Sequence, residues 1–224
     1  MIPDAVIKIG GSLDRASSLE MVCEEVNRLG RDYRLLVVPG GGEFADQVRK
    51  SNLRHPLNHT TAHRMALLAM DQYGLMLSNL ISCGELVKEL SSLRSKIAAG
   101  GIAVLLPFSL IDTADPLPHS WQVTSDTIAA WVTQSIGCRR LVLLKDVDGL
   151  LSFDEDGKNP TKLIPDLTVP QLARITGGVD GYLARFLATA PMETWIINGL
   201  YPERLSELLN TSRTTGTRIL PAAD

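Results

Sequence analysis

Cysteine is scarce in this sequence: Cys23, Cys83 and Cys138 stand far apart, with no C-x-x-C pair. An odd, widely spaced set excludes a disulfide framework and reads as three small buried apolar residues in a reducing, cytosolic setting. Aromatic residues make up only 5% of the chain, and positive charge is in no excess, the net charge being −3. That balance excludes an obligatory nucleic-acid partner and a polybasic membrane contact. Long apolar runs are missing too, because Lys8, Asp126 and Lys145 interrupt the most apolar regions, so no membrane span is expected. A secretory leader is likewise not expected, since Pro3 and Asp4 lead directly into a strand-like run.

What is present is an ordinary globular balance, 45% hydrophobic and 21% charged over 224 residues, enough for one large α/β domain spanning 1–224. Continuous apolar runs at 5–10, 34–38, 102–106, 140–144 and 194–198 read as parallel strands covered on both faces, with a last strand at 217–220. Helical patterns fill 17–29, 43–51, 60–80, 85–98, 125–136, 170–175, 181–190 and 202–210. Segments 112–120 and 152–162 read as surface loops. Strands alternating with helices predict a parallel or mixed sheet with helices on both faces, and the ligand at the strands' carboxyl ends.

Several motifs fall at those ends. In V-I-K-I-G-G-S-L, Lys8 sits inside an otherwise apolar strand, just before Gly10, Gly11 and Ser12. Glycines let backbone amides approach an anion, and a lysine beside them is a point charge suited to a phosphoryl group. The same stretch also fits a tight turn with a snorkelling lysine. Gly40, Gly41 and Gly42 repeat the arrangement after V-V-P. Two such loops on neighbouring strands suggest two ligands facing each other, as group transfer requires. In V-T-S-D-T-I-A-A, Asp126 is either part of a helix cap or a carboxylate that orients lysines. L-V-L-L-K-D-V-D-G-L ends a strand in Lys145, Asp146, Asp148 and Gly149, fitting either a site or a D-G turn.

K-I-G-G-S, V-V-P-G-G-G-E-F-A-D, V-T-S-D-T-I-A-A and L-L-K-D-V-D-G-L in this order, followed by D-G-K-N-P-T-K-L-I and T-G-G-V-D-G, resemble the amino acid kinase superfamily over essentially the whole chain. The resemblance implies a three-layer α/β/α sandwich with a mainly parallel sheet. It also implies ATP with Mg²⁺ in the C-terminal half, about 121–224, and the acceptor in the N-terminal half, about 1–120. Lys8, Asp126 and Lys145 would be catalytic, with Asp126 organising the lysines. Gly10, Gly11 and Ser12 would cradle the ATP phosphates. Lys145, Asp146, Asp148 and Gly149 would line the nucleotide site, with Phe153, Asp154 and Asn159 near base and ribose. Gly41 and Gly42 would hold the acceptor. Several family members carry a second catalytic lysine in the stretch that here reads G-G-V-D-G-Y; Lys145 is the candidate substitute, and Arg185 the next.

The 62–74 stretch, A-H-R-M-A-L-L-A-M-D-Q-Y-G, is similar to kinases that phosphorylate (5-(aminomethyl)furan-3-yl)methyl phosphate in methanofuran biosynthesis. A small phosphate acceptor needs cationic screening, which His63 or Arg64 would add, and its amine needs a carboxylate such as Asp71 or Asp46. Met65, Met70 and Met76 read as core. His55, His59 and His63 recur at a spacing of four, but Pro56 breaks the first turn and no metal site is assigned. The alternatives are uridylate or an isoprenoid phosphate as acceptor, or a nucleotide-binding storage or regulatory protein resembling the molybdenum storage proteins. A homo-oligomer is expected in each case, with the 60–80 helix as one interface.

Overall fold

A-V-I-K-I has no polar alternation, and it forms a strand buried along its whole length, β1 (Ala5–Ile9). A computed structural model describes residues 2–15, 18–97, 101–153 and 160–221. After β1 the chain runs through α1 (Ser12–Arg15), α2 (Leu19–Leu29), β2 (Arg34–Pro39), α3 (Gly42–Arg54) and α4 (His59–Leu80). Next come β3 (Gly84–Val87), α5 (Leu90–Lys96), β4 (Gly101–Leu105), α6 (Phe108–Ala114), α7 (Ser125–Ser135) and β5 (Arg140–Lys145). The remainder is β6 (Leu151–Phe153), β7 (Pro160–Leu163), β8 (Asp166–Thr168), α8 (Val169–Leu172), α9 (Leu183–Leu187), β9 (Glu193–Asn198), α10 (Glu203–Thr211) and β10 (Thr217–Leu220).

Eight strands form one sheet in the order β3-β4-β2-β1-β5-β9-β10-β8, while β6 and β7 make a separate hairpin. Pairing is parallel from β3 through β9, and β10 runs antiparallel to β9. Helices cover both faces, giving a three-layer α/β/α sandwich. Among the described residues no helix is long and apolar enough to cross a membrane.

Alternate strand residues feed two cores. Val6, Leu36, Val38, Leu141 and Leu143 pack toward α7 and α9. Ile7, Leu35, Val37, Val142 and Leu144 pack toward α2 and α10. Helix α2 buries Leu19, Val22, Cys23, Val26 and Leu29, a stripe at helical spacing. Each fully buried leucine there stabilises the fold by roughly 1.5–3 kcal/mol before entropy. Because side chains alternate, Lys8 shares the Val6 face and points toward α7.

The chain leaves β1 to build one side of the sheet, then returns to build the other from β5. This reversal makes a crevice beyond the carboxyl ends of β1, β2 and β5.

Three expectations need correction. Residues 84–87, which overlap the start of the expected 85–98 helix, form the short edge strand β3; a single buried residue, Val87, is enough when β4 supplies the hydrogen bonds. Part of the expected 112–120 loop belongs to α6, and the expected 152–162 loop includes strand residues of the β6–β7 hairpin. Cys83 is exposed, in the turn after α4, with its thiol 3.0 Å from Asn27 Oδ1, whereas Cys23 and Cys138 are buried.

Candidate active site

Lys8 is 5% exposed and therefore needs a partner. Its Nζ lies 2.8 Å from Asp126 Oδ1, while Lys145 Nζ donates to Asp126 Oδ2 at 2.7 Å. The two lysines come from neighbouring strands β1 and β5, and Asp126 descends on them from the first turn of α7. Burial alone would raise the Asp126 pKa, but the two ammonium groups outweigh it and hold the carboxyl at about 2. Burial, opposed by Asp126 and reinforced by Lys145, lowers the Lys8 pKa. A buried cation of this kind gains when a phosphate arrives.

Asp126 is not the helix cap. The cap comes from Asp180, distant in sequence: Oδ2 accepts the Thr124 and Thr127 amides at 3.0 and 2.9 Å and the Thr124 hydroxyl at 3.1 Å. Its Oδ1 accepts the Thr127 hydroxyl at 2.6 Å and the Tyr182 and Leu183 amides at 3.2 and 3.0 Å. One carboxylate thus ties the start of α7 to the start of α9. Burial and the neighbouring Asp126 charge push the Asp180 pKa up, against the pull of these donors. The Asp180 amide in turn donates to Asp126 Oδ2 at 3.3 Å.

The glycine loops stand back to back. A Cβ on Gly11 would lie 2.2 Å from Gly42 Cα, and one on Gly10 would lie 2.8 Å from the Leu144 carbonyl. No side chain fits between them, so the two backbones approach each other closely at the cleft. That cleft is a cavity of about 460 Å³ bordered by Lys8, Gly10, Gly11, Ser12, Gly41, Gly42, Asp126, Lys145 and Asp146. It is also bordered by Asp46, a candidate partner for the acceptor's amine, and by Arg49, Trp121, Thr124, Ser125 and Asp180, which the sequence reading did not place among the site residues. Arg49 carried a signal, since it falls two helical turns after Gly42 on the same face of α3. Asp180 stood in the T-G-G-V-D-G stretch, where the absent lysine drew attention instead.

Other expected site residues lie elsewhere. Asp148 accepts from Asn198 Nδ2 at 3.0 Å and from Arg204, and these donors, Arg204 first, hold its pKa low. Gly149 is pressed against Thr217, with φ +146°, closing the turn after β5. Neither residue borders the cleft. Arg64 pairs with Asp112 at 2.6 Å, and Asp71 accepts the Phe108 amide at 2.9 Å. Both therefore serve the α4–α6 contact: they stand on a different side of α4 from Ala66 and Met70, which face inward. Arg185 stacks over Tyr182 at 5.4 Å, away from the cleft. His63 borders a side cavity and stacks on His119, with centroids 4.4 Å apart. The Phe153 side chain, Asp154 and Asn159 lie outside the described residues.

Two glycine loops, two lysines joined by a carboxylate and a crevice at the sheet's reversal point define a phosphoryl-transfer enzyme on an α/β sheet. The chain belongs to the amino acid kinase family, whose family model matches residues 5–198, and it is a phosphotransferase. It is 28% identical over 220 residues to the [5-(aminomethyl)furan-3-yl]methyl phosphate kinase of Methanocaldococcus jannaschii, covering 96% of this chain and 97% of that protein. It is 26% identical over 207 residues to an acetylglutamate kinase of Bacillus cytotoxicus, covering 78% and 80%. Among solved structures, uridylate kinase from Archaeoglobus fulgidus superposes with a TM-score of 0.77 at 18% identity, over 96% of this chain and 99% of that one. UMP kinase from Bacillus anthracis gives 0.73 at 16% identity, over 100% and 98%. These two show the shared fold.

Proposed function

We propose that the protein transfers the γ-phosphoryl group of ATP to the phosphate of a small monophosphate. The preferred acceptor is (5-(aminomethyl)furan-3-yl)methyl phosphate, and the product its diphosphate. The observation that carries this reading is the Lys8–Asp126–Lys145 arrangement at the junction of the two glycine loops. The near full-length similarity to the Methanocaldococcus enzyme supports the acceptor.

An acceptor phosphate oxygen attacks the γ-phosphorus, a P–O bond forms, the bond to the β-phosphate oxygen breaks, and ADP leaves. The acceptor is already an anionic nucleophile at neutral pH, so no general base is required. What the reaction does require is a way to bring two phosphates together. In this reading the ATP phosphates lie along Gly10, Gly11 and Ser12, and the acceptor phosphate lies against Gly41 and Gly42. Lys8 and Lys145 converge on the transferring group, and removing one such charge costs about 3–4 kcal/mol of transition-state stabilisation. Asp126 keeps the two ammonium groups together against their mutual repulsion.

Among the described residues no group of three His, Cys, Asp or Glu side chains is placed to hold a metal ion. In this reading Mg²⁺ would arrive with the nucleotide as the substrate Mg·ATP. Self-association is part of the proposal, since Leu68 and Leu75 make an exposed apolar stripe on α4. Acceptor binding by the 1–120 half, ATP binding by the 121–224 half and residence in the cytoplasm are included as well.

The test is to incubate the purified protein with Mg·ATP and the furan phosphate, uridylate, isopentenyl phosphate, acetylglutamate or glutamate. ADP release and the phosphorylated product are followed by mass spectrometry. Diphosphate from the furan alone is the expected result. ATP binding without turnover of any acceptor would move the reading to a nucleotide-binding storage or regulatory role.

A further inference from the structure

Beside the cleft, a smaller cavity of about 60 Å³ opens between α4 and α7. Its apolar walls are Ala62, Leu67, Met70 and Ile128, and its polar lining includes His59, His63, Ser120, Thr124 and Ser125. The cavity adjoins the main cleft at a neck whose residues line both spaces: Arg49 and Trp121, with Gly41, Ala45, Thr124 and Ser125. Arg49 is held there from two sides. Its guanidinium carbon stands 5.6 Å from the Trp121 ring centre, and its Nη1 donates to Asp46 Oδ1 at 2.7 Å. Lys8 and Lys145 are both engaged by Asp126 deeper in the cleft, so Arg49 is the cation placed where the glycine loop of Gly41 meets the apolar side space.

The side cavity sets a size. One water needs roughly 10–15 Å³ of such space, so about four to six non-hydrogen atoms fit, the five atoms of a furan ring but not its two substituents, which would reach toward the neck and toward His63. A base with its ribose is several times larger. At the inner wall, burial and then the His119 charge lower the His63 pKa. A neutral imidazole there offers an acceptor nitrogen to an ammonium substituent.

We propose that Arg49 binds the acceptor's phosphate at this neck, and that the side cavity behind it admits a single small ring and excludes a nucleoside. The inference rests on the phosphate-acceptor reading above. A guanidinium against a phosphate makes paired, charge-assisted hydrogen bonds that a lysine does not reproduce.

Calorimetric titration of the full-length protein, with three probes, tests this: the furan phosphate, the same furan bearing a hydroxyl in place of the phosphate, and uridylate. Wild type should bind the furan phosphate at least about tenfold more tightly than the alcohol, as charged hydrogen bonds of this strength imply. Arg49→Met should erase most of that preference, and Arg49→Lys should restore part of it. Ala66→Leu, which fills the side cavity, should weaken the furan phosphate while ATP affinity stays unchanged. A phosphate preference that survives Arg49→Met overturns the inference alone, and so does uridylate binding as tight as the furan phosphate. A wild-type protein that does not bind the furan phosphate at all overturns the acceptor reading, and the inference with it.

Discussion

Asp180 receives both the amide and the hydroxyl of Thr127, at 2.9 and 2.6 Å, and so fixes the first turn of α7 from 53 residues away. That turn carries Asp126, whose two oxygens face Lys8 and Lys145. The lysines are therefore placed by a relay of carboxylates: Asp180 sets the helix, the helix sets Asp126, and Asp126 sets the ammonium groups.

Removing the start of that relay should cost both stability and rate. Asp180→Ala leaves two helix starts without their cap and strands buried donors, a loss of about 2–4 kcal/mol. Urea denaturation followed by circular dichroism measures it. Turnover at saturating substrates should fall as well, because the lysines lose their alignment. Wild-type stability in Asp180→Ala would show the cap to be dispensable.

Lys8 and Asp126 should separate chemistry from folding. Lys8→Met removes one charge while Asp126 retains Lys145, so the protein should stay folded and lose turnover by orders of magnitude. Asp126→Ala leaves the buried Lys8 ammonium facing the partly buried Lys145 ammonium and should destabilise by about 3–5 kcal/mol. Lys145→Met should behave like Lys8→Met, whereas Arg185→Ala, distant from the cleft, should leave turnover intact. Full activity in Lys8→Met would remove it from the reaction.

The acid limb follows from Asp126. Its pKa is about 2 in the fold against an ordinary value of 3.8. A depressed carboxyl pKa contributes stability that is complete above the unfolded value and is lost as pH falls through the folded one. About two pH units correspond to roughly 2–3 kcal/mol. Asp180, raised, works in the opposite direction, so the measurement is a difference. The stability gap between wild type and Asp126→Asn should narrow as pH falls from about 5 to about 2. A gap that stays constant over that range would mean that folding leaves the Asp126 pKa unshifted, and one that widens as pH falls would mean that Asp126 is not ionised in the fold.

The strands of the sheet centre were legible because parallel strands buried on both faces write continuous apolar runs, as in A-V-I-K-I and R-L-L-V-V. Lys8 stood out for the same reason: a charge inside such a run has to face something. The edge strand β3 was not legible, since Glu85 and Leu86 are exposed, Gly84 is only partly buried, and the stretch carries little pattern. Arg64 and Asp71 were misplaced because chain proximity to His63 says nothing about which side of α4 a residue occupies. Asp180 was hidden because its partners lie on α7, and no local spacing reveals a cap delivered across the fold.

Two glycines distinguish a steric requirement from a conformational one. Gly11 meets Gly42 backbone so closely that an added Cβ would lie 2.2 Å from Cα and 2.5 Å from the amide nitrogen. Neither atom belongs to a flexible side chain, so Gly11→Ala has to push the loops apart. Those loops are where the two phosphates would meet, and turnover should fall by about tenfold or more, as expected when reacting groups are misplaced by an ångström. Gly177 has open space around its Cβ position but a φ of +85°. Gly177→Ala should therefore cost about 1–2 kcal/mol in denaturation, from the left-handed backbone alone, and leave turnover largely intact. Parallel kinetics and denaturation of the two variants check this. Equal loss of turnover in both would mean that the 177–178 turn moves during the reaction, and that its conformation matters as much as the contact between the glycine loops.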